Sequence, residues 1–149
     1  MEMSHPIIQS IKKLFYTYRN GLLADTLKGY GDPHKTIFGL DLPQISNIAR
    51  EYKPDMALAE ALWKDQEVRE SRLLAPYLFP IEEIDEEKAL QIAGDVRTRE
   101  EADILSFKLL KRLPECNRVL ESLRQLSEQD APDSPAYNLV YTSLLPHLR

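Results

Sequence analysis

Apolar residues recur along this chain at three- and four-residue spacing in short blocks, with prolines, glycines and small polar residues between them. That period belongs to amphipathic helices, whereas half-buried strands alternate with a period of two. The first block places Ile8, Ile11, Phe15 and Tyr18 on one face of a helix that begins near Pro6, with Ser4 as its cap, and ends near Asn20-Gly21. A glycine-containing turn follows through Gly29, Gly31 and Pro33. Asp41 and Pro43 open a second pattern carrying Ile45, Ile48, Ala49 and Tyr52, which must stop before Pro54. Pro54 sits in the first turn of the next helix, with Leu58, Ala61 and Leu62 inward, and another runs from about Gln66 through Val68, Leu73 and Leu74 toward Pro80.

Asp85 starts a helix with Ala89, Leu90 and Ala93. Thr98-Arg-Glu-Glu101 is a capping-box pattern, in which hydroxyl and carboxylate each satisfy an orphan amide, and it predicts a helix through Ala102, Leu105, Leu109 and Leu113. Pro114 breaks the chain before a helix with Val119, Leu120, Leu123 and Leu126. A polar loop then spans Ser127 to Ser134, and Ser134-Pro135 begins a last helix toward Pro146. Prolines stand at the edges of these blocks, where they do not interrupt a helix. No segment alternates with a period of two, so the class is all-α. Short helices with brief connections fit antiparallel pairs stacked as a solenoid, with a compact bundle as the alternative.

With 149 residues, 43% of them apolar, the chain is expected to form one domain over 1–149 with a sizeable core, which excludes intrinsic disorder. A single cysteine, Cys116, rules out an internal disulfide, and His5, His34 and His147 form no cluster with metal-ligand spacing. No metal or cofactor is expected. No apolar run is long enough to span a bilayer and the opening residues lack the layout of a secretory signal, so the expected location is the cytoplasm. The net charge of −5 resides in residues 81–101, where eight acids face three bases; the remainder is neutral. A local basic surface is compatible with that distribution, although the whole-chain charge does not call for one.

Self-contained catalytic motifs are missing: there is no phosphate-cradling glycine loop, no G-x-S-x-G elbow and no H-E-x-x-H. Cys116 follows Pro114-Glu115 at a helix start, but no histidine is near in sequence to act as its base, and it reads as a structural thiol. The run Glu82–Glu87 reads as a solvated helix start. Asp103, just past the capping box and beside an apolar face, is the candidate catalytic carboxylate, with a dipole-stabilising first-turn acid as its bland reading. Lys108, Lys111 and Arg112 stand at i, i+3 and i+4, and Arg118 with Arg124 extends them onto the next helix. This is the candidate phosphate-contacting surface; its plain alternative is a solvated outer face. The seven tyrosines read as core or half-buried.

Ile37–Tyr52 (IFGLDLPQISNIAREY), Asp55–Trp63 (DMALAEALW) and Glu70–Ala75 (ESRLLA) combine a Gly-hydrophobic-x-x-Pro turn, an LAxxLW helix and an ExRxLA helix. Together they resemble the HEAT-like-repeat DNA alkylation repair family (AlkD-like DNA glycosylases) over about residues 37–113. Physically, Gly39 allows the turn, Pro43 starts a helix, Trp63 anchors packing, and Glu70 with Arg72 orders a helix contact. The resemblance implies a right-handed α-α superhelix of antiparallel HEAT-like helix pairs, whose concave face holds duplex DNA by its backbone and, in active members, releases N3- or N7-alkylated purines. The family's functional motif is Trp-Asp-x-x-Asp at a helix start. Ala102-Asp103-Ile104-Leu105-Ser106 is the matching stretch: Asp103 keeps the first acid, while Ala102 replaces the tryptophan and Ser106 the catalytic aspartate. A neutral hydroxyl cannot stabilise a cationic transition state as a carboxylate does. The end at Arg149 is expected to leave out later repeats of the family's DNA-clasping arc.

Three readings follow from the sequence. The first is a catalytically degenerate module that binds duplex DNA weakly through Lys108, Lys111, Arg112 and Arg118. The second is a protein-interaction scaffold whose acidic 81–101 segment suits a basic partner. The third is a weak alkylpurine glycosylase that uses Asp103.

Overall fold

The computed structural model describes residues 6–130 and 135–148, and these are helical without a strand; the one β-bridge pairs Thr36 with Val68. Ser4 and Ser134, expected as helix caps, lie outside the described residues. The helices pack in pairs, in agreement with the all-α superhelical class. The chain divides into two compact units, residues 1–79 and 80–149. No described helix is long and apolar enough to cross a membrane.

In the first unit, α1 (Ile7–Thr17) buries Ile8, Ile11 and Phe15. A helix that the periodicity did not predict follows directly: α2 (Gly21–Gly29), started by Asn20, whose side chain accepts from Leu23 N. Only Ala24 of α2 is buried, so its apolar pattern is faint and the cap supplies the start signal. α3 (Leu42–Ala49) begins with a full capping box between Asp41 and Gln44, with Pro43 in its first turn. α4 (Met56–Lys64) starts one step later than expected, because Asp55 is the cap and Pro54 precedes it; Ala59 is fully buried, while Ala61 is only half-buried.

α5 (Arg69–Leu78) runs antiparallel to α4: Asp55 N donates to Leu78 O at 2.9 Å at one end, and Arg72 donates to Trp63 O at 2.9 Å at the other. It buries every residue from Arg69 to Pro76. Pro76 lies inside this helix, contrary to the expectation that prolines stay at the edges; it falls in the last turn, where few hydrogen bonds remain to be lost.

The motif residues of this unit form a buried polar joint. The Glu70 carboxylate accepts N–H groups of Phe38 and Gly39 at 3.0 Å and of Leu40 at 3.3 Å, while Arg69 bridges it at 2.7 Å and donates to Leu40 O. Gly39 holds φ +88°, and a Cβ there would stand 2.2 Å from Asn20 O, so no other residue fits this turn. The Arg72 guanidinium stacks 3.9 Å over the Trp63 ring.

The second unit begins with a 3-10 turn (Ile81–Glu83) and α6 (Glu86–Ala93), capped by Asp85. α7 (Arg99–Lys108), α8 (Cys116–Ser127) and α9 (Ala136–Leu144) follow, with α9 packed against both α7 and α8. Their core holds Ala102, Leu105, Leu109, Leu110, Val119, Leu123, Val140 and Leu144, all shielded from water. Each fully buried leucine or valine contributes roughly 1.5–3 kcal/mol.

Candidate nucleic-acid interface

α7 carries both the matched motif and the first of the candidate bases. Thr98 caps it by accepting from Glu101 N at 3.0 Å, which is the hydroxyl half of the predicted capping pattern, and the buried Glu101 carboxylate accepts from Arg97 N at 2.8 Å, the amide one residue ahead of the cap. Beyond the cap the helix sorts its residues by face. Ala102, Leu105 and Ser106 point inward with no exposed surface, and the Ser106 hydroxyl has no hydrogen-bond partner. Asp103 is turned out to the surface.

The Asp103 carboxylate is engaged by α9. Ser143 Oγ donates to Asp103 Oδ1 at 2.7 Å, and Ser143 in turn accepts from Arg99 at 2.9 Å. The same Arg99 nitrogen lies 2.8 Å from Thr142 Oγ1 and 3.1 Å from Leu139 O. Arg99 opens α7 and Ser143 closes α9, so this chain fastens two antiparallel helices end to end. The carboxylate therefore has a structural bond to one oxygen, whatever else it contacts.

The basic residues do not share one α-helical face, as their spacing implied. α7 ends at Lys108, Leu109 leaves helical geometry at φ −126° and ψ −65°, and Leu110–Arg112 form a 3-10 turn. Both Leu109 and Leu110 are fully buried, and the tighter turn lets consecutive leucines face the core where a continued α-helix would turn one of them outward. Lys108 and Lys111 nevertheless converge: their ammonium groups stand 4.6 and 3.9 Å from the ring centre of Phe107, which is 43% exposed. Arg112 is exposed beside them and makes a long, 3.4 Å contact with Lys108 O.

On α8, Arg118 is mostly exposed and lies 3.6 Å from Glu86 and 3.9 Å from Glu115, pairs too loose and too wet to hold it firmly. Arg124 does not extend the positive surface. It is bonded to Glu121 at 2.6 Å and to Glu128 at 3.1 Å, which holds the Glu121 carboxyl below its usual range and raises the guanidinium further.

Phe107 was not among the residues singled out from sequence, nor was the surface of α1. There Lys13, Tyr16 and Arg19 are exposed, with the Arg19 guanidinium 3.8 Å over the Tyr16 ring. A readable trace existed in both cases, since residues 3–24 and 104–114 each hold three bases and no acid. Tyr16, Tyr18 and Tyr30 are more exposed than the core reading of the tyrosines allowed. Tyr18 also lines a cavity of about 350 Å³ with Gln44, Asn47, Ile48 and Glu51, none of them cationic. Cys116 is half-buried at the start of α8. Among the described residues no group of three histidine, cysteine or carboxylate side chains could hold a metal ion.

The protein family described as DNA alkylation repair enzyme matches residues 11–132, a span that includes the Gly39 turn, Trp63, Glu70, Arg72, the α7 motif positions and all four candidate bases. No curated protein and no solved structure matches the chain. A match over most of the chain places it: the chain belongs to the DNA alkylation repair enzyme family.

Proposed function

We propose that this family member serves DNA repair as a duplex-binding module without glycosylase chemistry, contacting the sugar–phosphate backbone through Lys108, Lys111, Arg112 and Arg118. The observation that carries the loss of chemistry is the burial of Ser106: the position matched to the catalytic aspartate holds a neutral hydroxyl and faces the core. A carboxylate could act on a cationic sugar only from the surface, and no such group stands at this position. Ala102, matched to the tryptophan, is equally buried and offers no aromatic wall. The family match runs through both compact units, which supports treating 1–149 as one repeat domain.

Four cations on phosphates would displace about four counterions, so affinity should fall roughly 100-fold between 50 and 200 mM salt. Fluorescence anisotropy with a labelled duplex measures this directly. Lys111→Glu combined with Arg112→Glu is expected to weaken binding and flatten the logarithmic salt slope by about 2. An unchanged slope would remove these residues from the interface.

A second reading has its own support. Glu82, Glu83, Asp85, Glu87 and Asp95 are all exposed, an acidic surface suited to a basic protein partner. Stoichiometric co-purification of such a partner, with no DNA binding at low salt, would favour it.

A further inference from the structure

We infer that Phe107 is a stacking platform for an unpaired nucleobase, with Lys108 and Lys111 placed to take the phosphates on either side of it. The inference rests on the DNA-binding reading and adds to it a preference for disrupted over intact duplex.

Phenylalanine is the aromatic residue with least reason to face water, because it has no polar tip. The other described phenylalanines follow that rule: Phe15 and Phe79 are buried, and Phe38 is largely covered and packs at 5.7 Å on Phe15. Phe107 is 43% exposed although it sits between Ser106 and Leu109, both fully buried. Two ammonium groups lie within 5 Å of its ring centre, and the His147 ring lies 5.7 Å away at 47°. Residues 104–114 carry three bases and no acid within a unit that is otherwise acidic.

A π-face gathered with cations matches one ligand chemistry closely: a planar base flanked by phosphates. Stacking takes the ring, and the ammonium groups, on flexible four-carbon stems, turn from the ring to the backbone. Lys111, 3.9 Å from the ring centre, gives up only a weak contact when it does so. Paired bases inside a duplex cannot reach such a ring, so the patch distinguishes bulged or single-stranded nucleotides from intact helix.

The test is the ratio of affinities for a labelled duplex with a central thymine bulge and for the same duplex without it, at fixed salt. The expected ratio is roughly 5- to 150-fold, the equivalent of one stacked base. It should collapse toward one in Phe107→Leu, which keeps an apolar cover but has no π-face, and persist in Phe107→Trp. On the unaltered protein, 2-aminopurine placed in the bulge should lose fluorescence on binding, a readout that does not depend on any variant folding. A ratio near one, with intact duplex still bound and steeply salt-dependent, would overturn the inference and leave the backbone reading standing. A ratio retained in Phe107→Leu would move the stacking to another residue, such as Tyr16, and equally overturn it. No binding to either DNA at low salt would defeat both, and Phe107 would then belong to a protein contact.

Discussion

Replacing Ser106 by aspartate would restore the family's carboxylate in the sequence, and the structure says it would fail for a measurable reason. Ser106 has no exposed surface and its hydroxyl finds no partner, so an aspartate there would have to be neutral to stay inside. At pH 7 neutralising an aspartate of ordinary pKa costs about 4 kcal/mol, before any cost of its larger volume. The cost falls to about 1.5 kcal/mol at pH 5 and vanishes near pH 4. The folded state binds the extra proton, so the variant's deficit grows as pH rises above the unfolded value.

Ser106→Ala provides the counterpart: it removes a buried hydroxyl with no partner and improves helix propensity, so stability should be unchanged or rise by up to about 1 kcal/mol. Urea unfolding followed by far-UV circular dichroism at pH 5 and pH 7 reads both variants, and a 7-methylguanine release assay on alkylated DNA accompanies them. Ser106→Asp as stable as the parent at pH 7 would mean that the side chain reaches water and that the burial argument is wrong. Base release by the parent chain, lost in Asp103→Asn, would show that the exposed carboxylate has taken over the chemistry.

Two further predictions concern the first unit. Glu70→Ala strips three N–H groups and Arg69 of their buried acceptor, and should cost about 3–5 kcal/mol; Glu70→Gln, which keeps one acceptor oxygen, should cost less. Fluorescence of Trp63, the one tryptophan, during urea unfolding measures this unit directly, and losses under about 1 kcal/mol in both variants would refute a structural role for the joint. Burial pushes the half-buried Tyr77 phenol above its ordinary 10.0, against a smaller lowering by its hydrogen bond with Ser46. A raised folded value means that its contribution is complete below pH 10 and is lost as pH climbs through the folded value, so an alkaline absorbance titration should show a late phenolate component that disappears in Tyr77→Phe.

Much of this architecture is written locally. Asp41, Asp85 and Thr98 all cap the helices they were expected to start, because a short acceptor side chain before an apolar period leaves the chain few other solutions. α2 escaped detection because it buries only Ala24, and a helix that contributes almost nothing to a core leaves almost no period. The end of α7 was also illegible: the 3-10 turn satisfies two buried leucines and packs on α8, and local spacing cannot register that tertiary demand. Pro76 is tolerated by packing around α5, again a tertiary effect.

The candidate site divides along the same line. That Ser106 faces inward was readable, since it lies four residues after Ala102 on the face already assigned to the core. That Asp103 is tied to Ser143, forty residues away, and that Lys108 and Lys111 gather on Phe107 required the fold.

The joint at Glu70 bears on how the first unit comes into existence. A stack of helix pairs ordinarily gains stability one neighbour at a time, so partial arrays can persist. Here a carboxylate on α5 holds the backbone at Phe38–Leu40, a contact 30 to 32 residues distant that bypasses α4 altogether. The segment before α3 is tied to the start of α2 by Asn20 N donating to Phe38 O at 2.8 Å, but the N–H groups of Phe38, Gly39 and Leu40 meet the Glu70 carboxylate only once α5 has formed, and Arg69 and Glu70 have no reason to leave water until that segment arrives. Closing a loop of this length early delays folding but makes it all-or-none. A chain truncated after α4 would therefore lose more than its last helix: its Gly39 turn would be left without the acceptor that shapes it, and intermediates holding only α1 to α4 should not accumulate.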